Sequence, residues 1–144
     1  MNRIYVLWGR QGVGKTRTLN LIAREIERQF GVTSDPPLDV LLTRDIQVVI
    51  TIGGLRIGIT SAGDPGTNVA GRLNDLINRG CAIIFCSTRT KGETVTDVEG
   101  VEQAHNYRAT WVTNYQTGFP NEEGVLNQRS AIDLVQLMRT MANI

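Results

Sequence analysis

The chain has 144 residues, of which 41% are hydrophobic and 20% are charged, and its formal net charge is +1. This balance excludes an intrinsically disordered chain and provides no basic stripe for nucleic acid. No apolar run approaches the ~20 residues that a membrane-spanning helix needs. The two cysteines, Cys81 and Cys86, are too far apart along a predicted strand for a disulfide, so we expect reduced core thiols. We therefore expect one cytoplasmic domain over residues 1–144, with no membrane or nucleic-acid partner.

The first part of the chain predicts a strand, a helix and a loop. The apolar run at 3–8 lacks strict alternation and predicts a buried strand of a parallel sheet. Residues 15–30 place apolar side chains on one helical face, and Gly31 is a suitable C-terminal stop. The stretch 31–45 contains two prolines and is predicted to be a loop.

A hairpin and further alternating elements complete the predicted sheet. Two β-branched runs, 46–52 and 55–60, flank Gly53 and Gly54, the pair that a type I′ turn favours. The remaining predicted elements are a helix from 69 that stops at Gly80, a strand from 81 that ends near Cys86, a helix at 94–106 with a Thr96–Glu99 capping box, a strand at 109–114 and a helix around 132–138. This order indicates a three-layer α/β sandwich, with one β-hairpin (46–52/55–60) in a mostly parallel sheet.

The stretch GRQGVGKT, residues 9–16, joins the first strand to the first helix. Glycines let consecutive backbone N–H groups turn inward, and the helix start adds unpaired N–H groups and a positive dipole end. Together these groups form a cradle for an anion. The pattern of Gly9, Gly14, Lys15 and Thr16 resembles the Walker A motif of the P-loop NTPase superfamily.

This resemblance implies a three-layer P-loop NTPase sandwich that binds a nucleoside triphosphate and Mg²⁺. Lys15 would contact the β- and γ-phosphates as a catalytic group, and the Thr16 hydroxyl would ligate Mg²⁺. Gly12 gives the form G-x-x-G-x-G-K-T, which is similar to many P-loop kinases and ATPases and to some GTPases. The expected nucleotide-binding residues here are Gly9, Arg10, Gln11, Gly12, Val13, Gly14, Lys15, Thr16 and Arg17.

P-loop enzymes also place an acidic or polar group at the end of another strand, where it holds Mg²⁺ directly or through water. The strand predicted at 55–60 ends without an acid, and the first carboxylate after it is Asp64. Two alignments are open. If the chain stays extended through Ser61, Asp64 is a Mg²⁺-water ligand or a general base. If the strand ends at Thr60, Gly63 donates its N–H to the γ-phosphate, and Asp64 lies where Ras-like GTPases hold a water-positioning glutamine.

The hairpin also resembles the two antiparallel strands that GTPases place ahead of a switch segment. In that comparison Thr33 or Ser34 would sense Mg²⁺ and the γ-phosphate. The guanine-reading motif N-K-x-D is the test. The stretch NYQT, from Asn114 to Thr117, has its asparagine but neither its lysine nor its aspartate. We therefore expect ATP rather than GTP.

Basic residues follow the strand that is predicted to end near Cys86, and ligands of α/β folds gather at the carboxyl ends of strands. Arg89 is a candidate to stabilise charge on a transferring phosphoryl group or to clamp an acceptor phosphate. Lys91 is a second, weaker candidate for the same role. The alternative for both is a solvated basic loop. Arg44 and Asp45, just ahead of the hairpin, are interpreted as an exposed pair.

The sequence thus predicts a Mg·ATP-binding protein that hydrolyses ATP or transfers its γ-phosphate. The first interpretation is an ATPase switch whose loops at 33–45 and 61–67 order with the γ-phosphate and signal to a partner. The alternatives are a nucleotide or small-molecule kinase, a GTPase-like switch with an incomplete guanine motif, and a nucleotide-binding subunit with little catalysis. Because a small isolated ATPase usually acts on something else, we expect a protein partner or a homo-oligomer.

Overall fold

The structure, a computed structural model, describes residues 2–9, 12–62 and 66–144. These residues form an α/β arrangement in which six strands and four helices follow one another along the chain. The strands are β1 (Arg3–Trp8), β2 (Ser34–Asp35), β3 (Gln47–Ile52), β4 (Leu55–Thr60), β5 (Ile83–Thr88) and β6 (Arg108–Val112). The helices are α1 (Lys15–Phe30), α2 (Val69–Asn78), α3 (Glu93–His105) and α4 (Glu123–Ala142), with a 3₁₀ turn (Pro120–Glu122) just before α4.

The strands form one mixed sheet in the order β2-β3-β4-β5-β1-β6. Four of them, β4, β5, β1 and β6, are mutually parallel, whereas β3 is antiparallel to both of its neighbours. The carboxyl ends of the four parallel strands therefore lie at one edge of the sheet. Because Gln47 pairs with Thr60, the start of β3 lies at that same edge. Residues just before β3 are consequently brought to the place where ligands of α/β folds bind.

Helices cover both faces of the sheet. On one face α1 and α4 pack against each other and contribute to a hydrophobic cluster with residues of β1, β3, β4 and β5. Within it the rings of Tyr5 and Phe85 stack with their centroids 5.0 Å apart. On the other face α2 and α3 pack together over a second cluster that includes Ile4, Val6 and Ile84. This arrangement is compatible with the predicted three layers and fixes β1 and β5 in the middle of the molecule.

Several element boundaries differ from the predicted ones. The strand predicted from 81 to about Cys86 is β5, which begins at Ile83 and runs on to Thr88 because it pairs along its whole length with β1. The loop predicted at 31–45 contains the short strand β2, which pairs with β3 at the sheet edge. The capping box is wrong, because α3 begins after Gly92 and Thr96 lies inside the helix. The last helix is longer than predicted and extends over Glu123–Ala142.

The turn between β3 and β4 also differs in type from the prediction. Gly53 has a φ of 58°, but Gly54 is not among the glycines with positive φ. A type I′ turn needs positive φ at both central residues, whereas a type II′ turn needs it only at the first. The hairpin is therefore confirmed, at 47–52 and 55–60, and its turn corresponds to type II′.

Both cysteines are free thiols in the core, as predicted. Burial raises the pKa of Cys81 to about 11 and that of Cys86 to about 12. Such thiols stay protonated and unreactive at neutral pH. Among the helices of the described residues, none combines the length and the apolar character that crossing a bilayer requires.

Candidate functional site: the glycine-rich loop and the edge of the sheet

The glycine-rich loop, residues 9–16, lies between β1 and α1 at the carboxyl edge of the sheet; Arg10 and Gln11 in it lie outside the described residues. Gly12 and Gly14 have φ values of 86° and 81°, in the left-handed region that favours glycine. A Cβ added to Gly14 would lie 2.9 Å from the amide atoms of Asn127 on α4. The backbone at Gly14 is thus both left-handed and closely packed, and it delivers the chain into the first turn of α1.

Lys15 is the first residue of α1, and its side chain folds back over the loop. It is only 8% exposed, and its ammonium group donates hydrogen bonds to the carbonyl oxygens of Gly9 and of Thr88, the latter at 2.7 Å. The Thr88 carbonyl also accepts from the Gly9 N–H at 3.1 Å. A cation is therefore held where β1 and β5 end, beside backbone N–H groups at the start of a helix. This is the arrangement that the sequence predicts for phosphate binding.

A cavity of about 430 Å³ opens in front of this loop. It is lined by residues of the glycine-rich loop and α1, of the segment before β3, of the ends of β4 and β5, and of the start of α4. Among the described residues, its charged lining residues are Lys15, Arg17, Asp45 and Glu123. The cavity thus combines cationic groups beside the loop with two carboxylates at separate points of its wall.

Arg44 and Asp45 are both exposed, as the sequence predicts, but the Asp45 carboxylate also contacts Thr16 and Ser61. One carboxylate oxygen lies 3.5 Å from the Thr16 hydroxyl and accepts a 3.1 Å hydrogen bond from the Ser61 hydroxyl. The carboxylate is therefore beside the residue that follows Lys15. Arg44 points elsewhere, since its guanidinium pairs with Asp39 at 2.6 Å.

The segment before β3 is anchored to α1. The buried Asn20 side chain donates to the carbonyl oxygens of Thr16, at 3.1 Å, and of Arg44, at 3.0 Å. Arg24 donates to the backbone carbonyl of Asp39. These contacts hold the chain around Asp45 against the first turns of α1 and so fix its carboxylate near Thr16.

Ser61 follows directly after β4, which ends at Thr60, and it makes four hydrogen bonds. Its backbone N–H donates to the Ile46 carbonyl at 3.0 Å, and its hydroxyl accepts from the Ile46 N–H at 2.8 Å while donating to Asp45. Its carbonyl accepts from the Ser87 hydroxyl of β5 at 2.9 Å. The end of β4 is thus joined to both the start of β3 and the end of β5. Gly63 and Asp64, the predicted γ-phosphate and metal residues, lie outside the described residues.

The other sequence candidates lie at different distances from this cavity. Arg89 follows Thr88 directly, and its backbone N–H donates to the Thr94 hydroxyl at 3.0 Å, which places it at the same edge of the sheet. Ser34 lies in β2, at the outer edge of the sheet and four strands away from β1, so the structure separates it from the glycine-rich loop. Lys91 is exposed in the turn before α3.

Asn114, which follows β6, contacts the glycine-rich loop. Its amide donates to the Val13 carbonyl at 2.9 Å and it is 5% exposed. The next residue, Tyr115, donates its hydroxyl to Asp133 at 2.6 Å, and that hydrogen bond raises the pKa of the phenol. A smaller cavity of about 140 Å³ lies between the segment 115–117, the glycine-rich loop and α4. It adjoins the larger cavity at Asn127, which lines both.

Sequence reasoning missed Asp45, Ser61 and Asn127 as residues of the site. Asp45 lies 29 positions from Thr16 in the sequence. Asn127 lies 109 positions from Thr18, and its amide oxygen accepts a 3.4 Å hydrogen bond from the Thr18 hydroxyl. The only sequence signal for Asp45 was its place just before a predicted strand. Within the described residues no three His, Cys, Asp or Glu side chains cluster to hold a metal by themselves.

Comparison with known proteins yields no relative from which a role could be transferred. No protein-family model matches the chain, and no curated protein or solved structure matches it either.

Proposed function

We propose that the protein is a P-loop nucleotide-binding protein that takes up Mg·ATP and acts on its γ-phosphate. One observation supports this above the others: Lys15 holds its ammonium group over a glycine-rich turn, at the N-terminus of α1 and the carboxyl edge of a largely parallel sheet. A fixed cation beside backbone N–H groups at a helix N-terminus binds phosphate, since both lower the energy of an anion.

The binding step would exchange partners at Lys15. Its ammonium now donates to two backbone carbonyls, Gly9 and Thr88, and phosphate oxygens would accept those hydrogen bonds instead. The backbone around Gly12 and Gly14 would supply N–H donors, and Arg17 lines the same cavity as a second cation. The free-energy cost of burying the ammonium is thereby offset in both states, by carbonyl dipoles without nucleotide and by phosphate oxygens with nucleotide bound.

The residues present fit a magnesium ion. Mg²⁺ prefers oxygen ligands and usually takes one or two carboxylates together with phosphate oxygens and water. The Thr16 hydroxyl and the Asp45 carboxylate lie 3.5 Å apart at the cavity wall. When bound, the ion would neutralise charge on the β- and γ-phosphates. We assign Asp64 to the orientation of an attacking water and Gly63 to the γ-phosphate, and Arg89 to charge developing in the transition state.

We favour an ATPase that acts on a partner over the alternatives. The segment that bears Asp45 also bears Val40 and Leu41, which are 87% and 48% exposed. Apolar side chains on a loop that contacts the phosphate site suit a surface that reports nucleotide state to another protein or a second copy. ATP is preferred to GTP because the stretch NYQT, residues 114–117, lacks the aspartate that would pair with the N1 and N2 donors of guanine.

A kinase is the second candidate, and a feature of the cavity favours it. Beyond Lys15 the cavity, of about 430 Å³, is also lined by Thr43 and Thr67, which leaves room for a small acceptor beside the loop. The fate of the γ-phosphate separates the two functions. Purified protein would be incubated with Mg²⁺ and γ-labelled ATP, alone and with a pool of nucleosides, nucleotides and small metabolites.

Label released as phosphate without an acceptor supports the ATPase, and label found on a pool member supports the kinase. The control is Lys15→Ala, beside Lys91→Ala as an exposed lysine of equal charge. Label that stays on ATP in every arm, or activity that survives Lys15→Ala, would contradict phosphoryl chemistry at this site.

A further inference from the structure

The end of β4 carries hydroxyl groups where a carboxylate is expected to face magnesium. The last residue of the strand is Thr60 and the next residue is Ser61, and both are buried. A neutral hydroxyl is a weak ligand for Mg²⁺, and Thr60 donates its hydroxyl to Gln47 at 3.1 Å rather than to the cavity. If magnesium binds here, its carboxylate must come from another segment of the chain.

Asp45 supplies a carboxylate at that point from the segment before β3. Its oxygen lies 3.5 Å from the Thr16 hydroxyl and 3.1 Å from the Ser61 hydroxyl. Neighbouring ligands of an octahedral Mg²⁺ at about 2.1 Å stand about 3 Å apart. The Thr16 and Asp45 oxygens therefore need to approach by only a few tenths of an ångström to share one ion.

Asp45 also differs in its partners from two other aspartates of the chain. Asp39 is paired with Arg44, and Asp133 is paired with Arg129 at 3.1 Å. Within the described residues Asp45 has hydroxyl contacts but no ion pair, although it lines a cavity that also contains Lys15. A carboxylate held by two hydroxyls at a phosphate site is ready to accept a cation.

Ser61 has a separate role, which is to position Asp45. Its hydroxyl accepts from the Ile46 N–H and donates to the Asp45 carboxylate, so one oxygen fixes both the backbone and the side chain of the neighbouring segment. Ser61, which lies where a carboxylate is expected, thus holds the carboxylate of Asp45 in place.

We propose that Asp45, fixed by Ser61, is the carboxylate that holds the divalent cation against Thr16. This inference rests on the proposed nucleotide binding. It assigns a metal ligand to the segment just before β3, which lies outside the glycine-rich loop. It has a mechanical consequence: the metal would tie the segment 36–46 to α1, so the segment that exposes Val40 and Leu41 would be held more tightly in the nucleotide-bound state.

The test is a metal titration that does not depend on turnover. Mn²⁺, whose free ion is measured by electron paramagnetic resonance, is titrated into protein saturated with the non-hydrolysable β,γ-imido analogue of ATP. The variants are Asp45→Asn and Asp64→Asn, with Asp97→Asn on α3 as a matched loss of one carboxylate that does not line the cavity. Affinity for the analogue is measured separately in excess chelator, and thermal melting monitors the fold.

We expect Asp45→Asn to weaken Mn²⁺ binding by about tenfold or more, while Asp97→Asn and Asp64→Asn leave it within about twofold. Binding of the analogue in chelator should be unchanged or tighter in Asp45→Asn, because a negative charge has left the phosphate site. Ser61→Ala should weaken Mn²⁺ binding less, and the double variant with Asp45→Asn should be no weaker than Asp45→Asn alone.

Two results would overturn the inference and leave nucleotide binding intact. Mn²⁺ affinity that follows Asp64 instead of Asp45 would put the acid after β4, and a fall in melting temperature with unchanged Mn²⁺ affinity would make Asp45 a structural partner of α1. If the wild-type protein fails to bind the analogue even in chelator, the proposed function itself fails, and this inference with it.

Discussion

The two sides of the cavity are encoded in different ways. The glycine-rich loop brings a cation and its backbone donors from eight consecutive residues, 9–16, between one strand and one helix. The opposite wall brings Asp45, Ser61 and Ser87 from three separate segments, which meet only because β3, β4 and β5 pair in a particular order. A local turn can be recognised from residue types alone, whereas a wall that depends on strand order cannot.

The largest expected effect comes from a substitution in the glycine-rich loop, at Gly14. Gly14→Ala places a Cβ at a φ of 81° and 2.9 Å from the Asn127 side chain, so the loop must shift. We expect stability to fall by about 1–3 kcal/mol and ATP affinity to fall by about a hundredfold. Urea unfolding and equilibrium binding measure the two effects.

The matched control is Gly100→Ala, at an exposed glycine in the interior of α3 with no atom near the added Cβ. There the substitution should stabilise the protein by about 0.5–1 kcal/mol, because alanine favours a helix. Equal behaviour of the two variants would show that Gly14 is not under the constraint described.

A smaller effect is expected from separating the two sides at Asn20. This buried amide bonds to the carbonyls of both Thr16 and Arg44, so Asn20→Ala removes the link between α1 and the Asp45 segment. We expect a loss of about 1–3 kcal/mol in stability. Mg²⁺-dependent ATP binding should weaken by about tenfold, with binding in chelator nearly unchanged.

Asn74→Ala, at an exposed position of α2, is the control for Asn20→Ala and should leave both quantities unchanged. If Asn20→Ala weakens ATP binding equally with and without Mg²⁺, the Asp45 segment does not act on binding through the metal ion alone, which would contradict the separate roles given to the two walls of the cavity.

The sequence identified the local side well and the assembled side poorly, for reasons visible in single residues. Lys15 and Thr16 follow glycines whose left-handed φ values are a local requirement, and the structure places both at the cavity. The exposure of Asp45 is predicted correctly, but its contacts with Thr16 and Ser61 are not, because they depend on the register of the hairpin. β5 was ended too early, since its last residues are polar and are held in the strand by pairing with β1. Arg10, Gln11, Gly63 and Asp64 remain sequence predictions.

The smallest effect concerns the thiols of the central sheet. Burial raises the pKa of Cys81 to about 11 and of Cys86 to about 12. Their contribution to stability is complete below the ordinary thiol pKa of 9.0 and is lost as the pH rises through 11 to 12, because the unfolded thiols ionise first. We therefore expect the free energy of unfolding to fall between pH 8 and pH 10.5.

Cys86→Ala should reduce the thiol contribution to this pH dependence, and a thiol reagent at pH 7.5 should leave ATP binding of the native protein unchanged. Rapid labelling of either cysteine in the folded protein, with loss of ATP binding, would place a reactive thiol at the site and contradict the burial.

The most direct test of the central claim is the equilibrium binding of ATP to Lys15→Ala, measured by calorimetry in the presence of Mg²⁺. The comparison variant is Lys91→Ala, which removes an exposed lysine from the same edge of the sheet. Wild type and Lys91→Ala are expected to bind ATP with the same affinity, whereas Lys15→Ala should show no measurable binding. Undiminished binding by Lys15→Ala would contradict it.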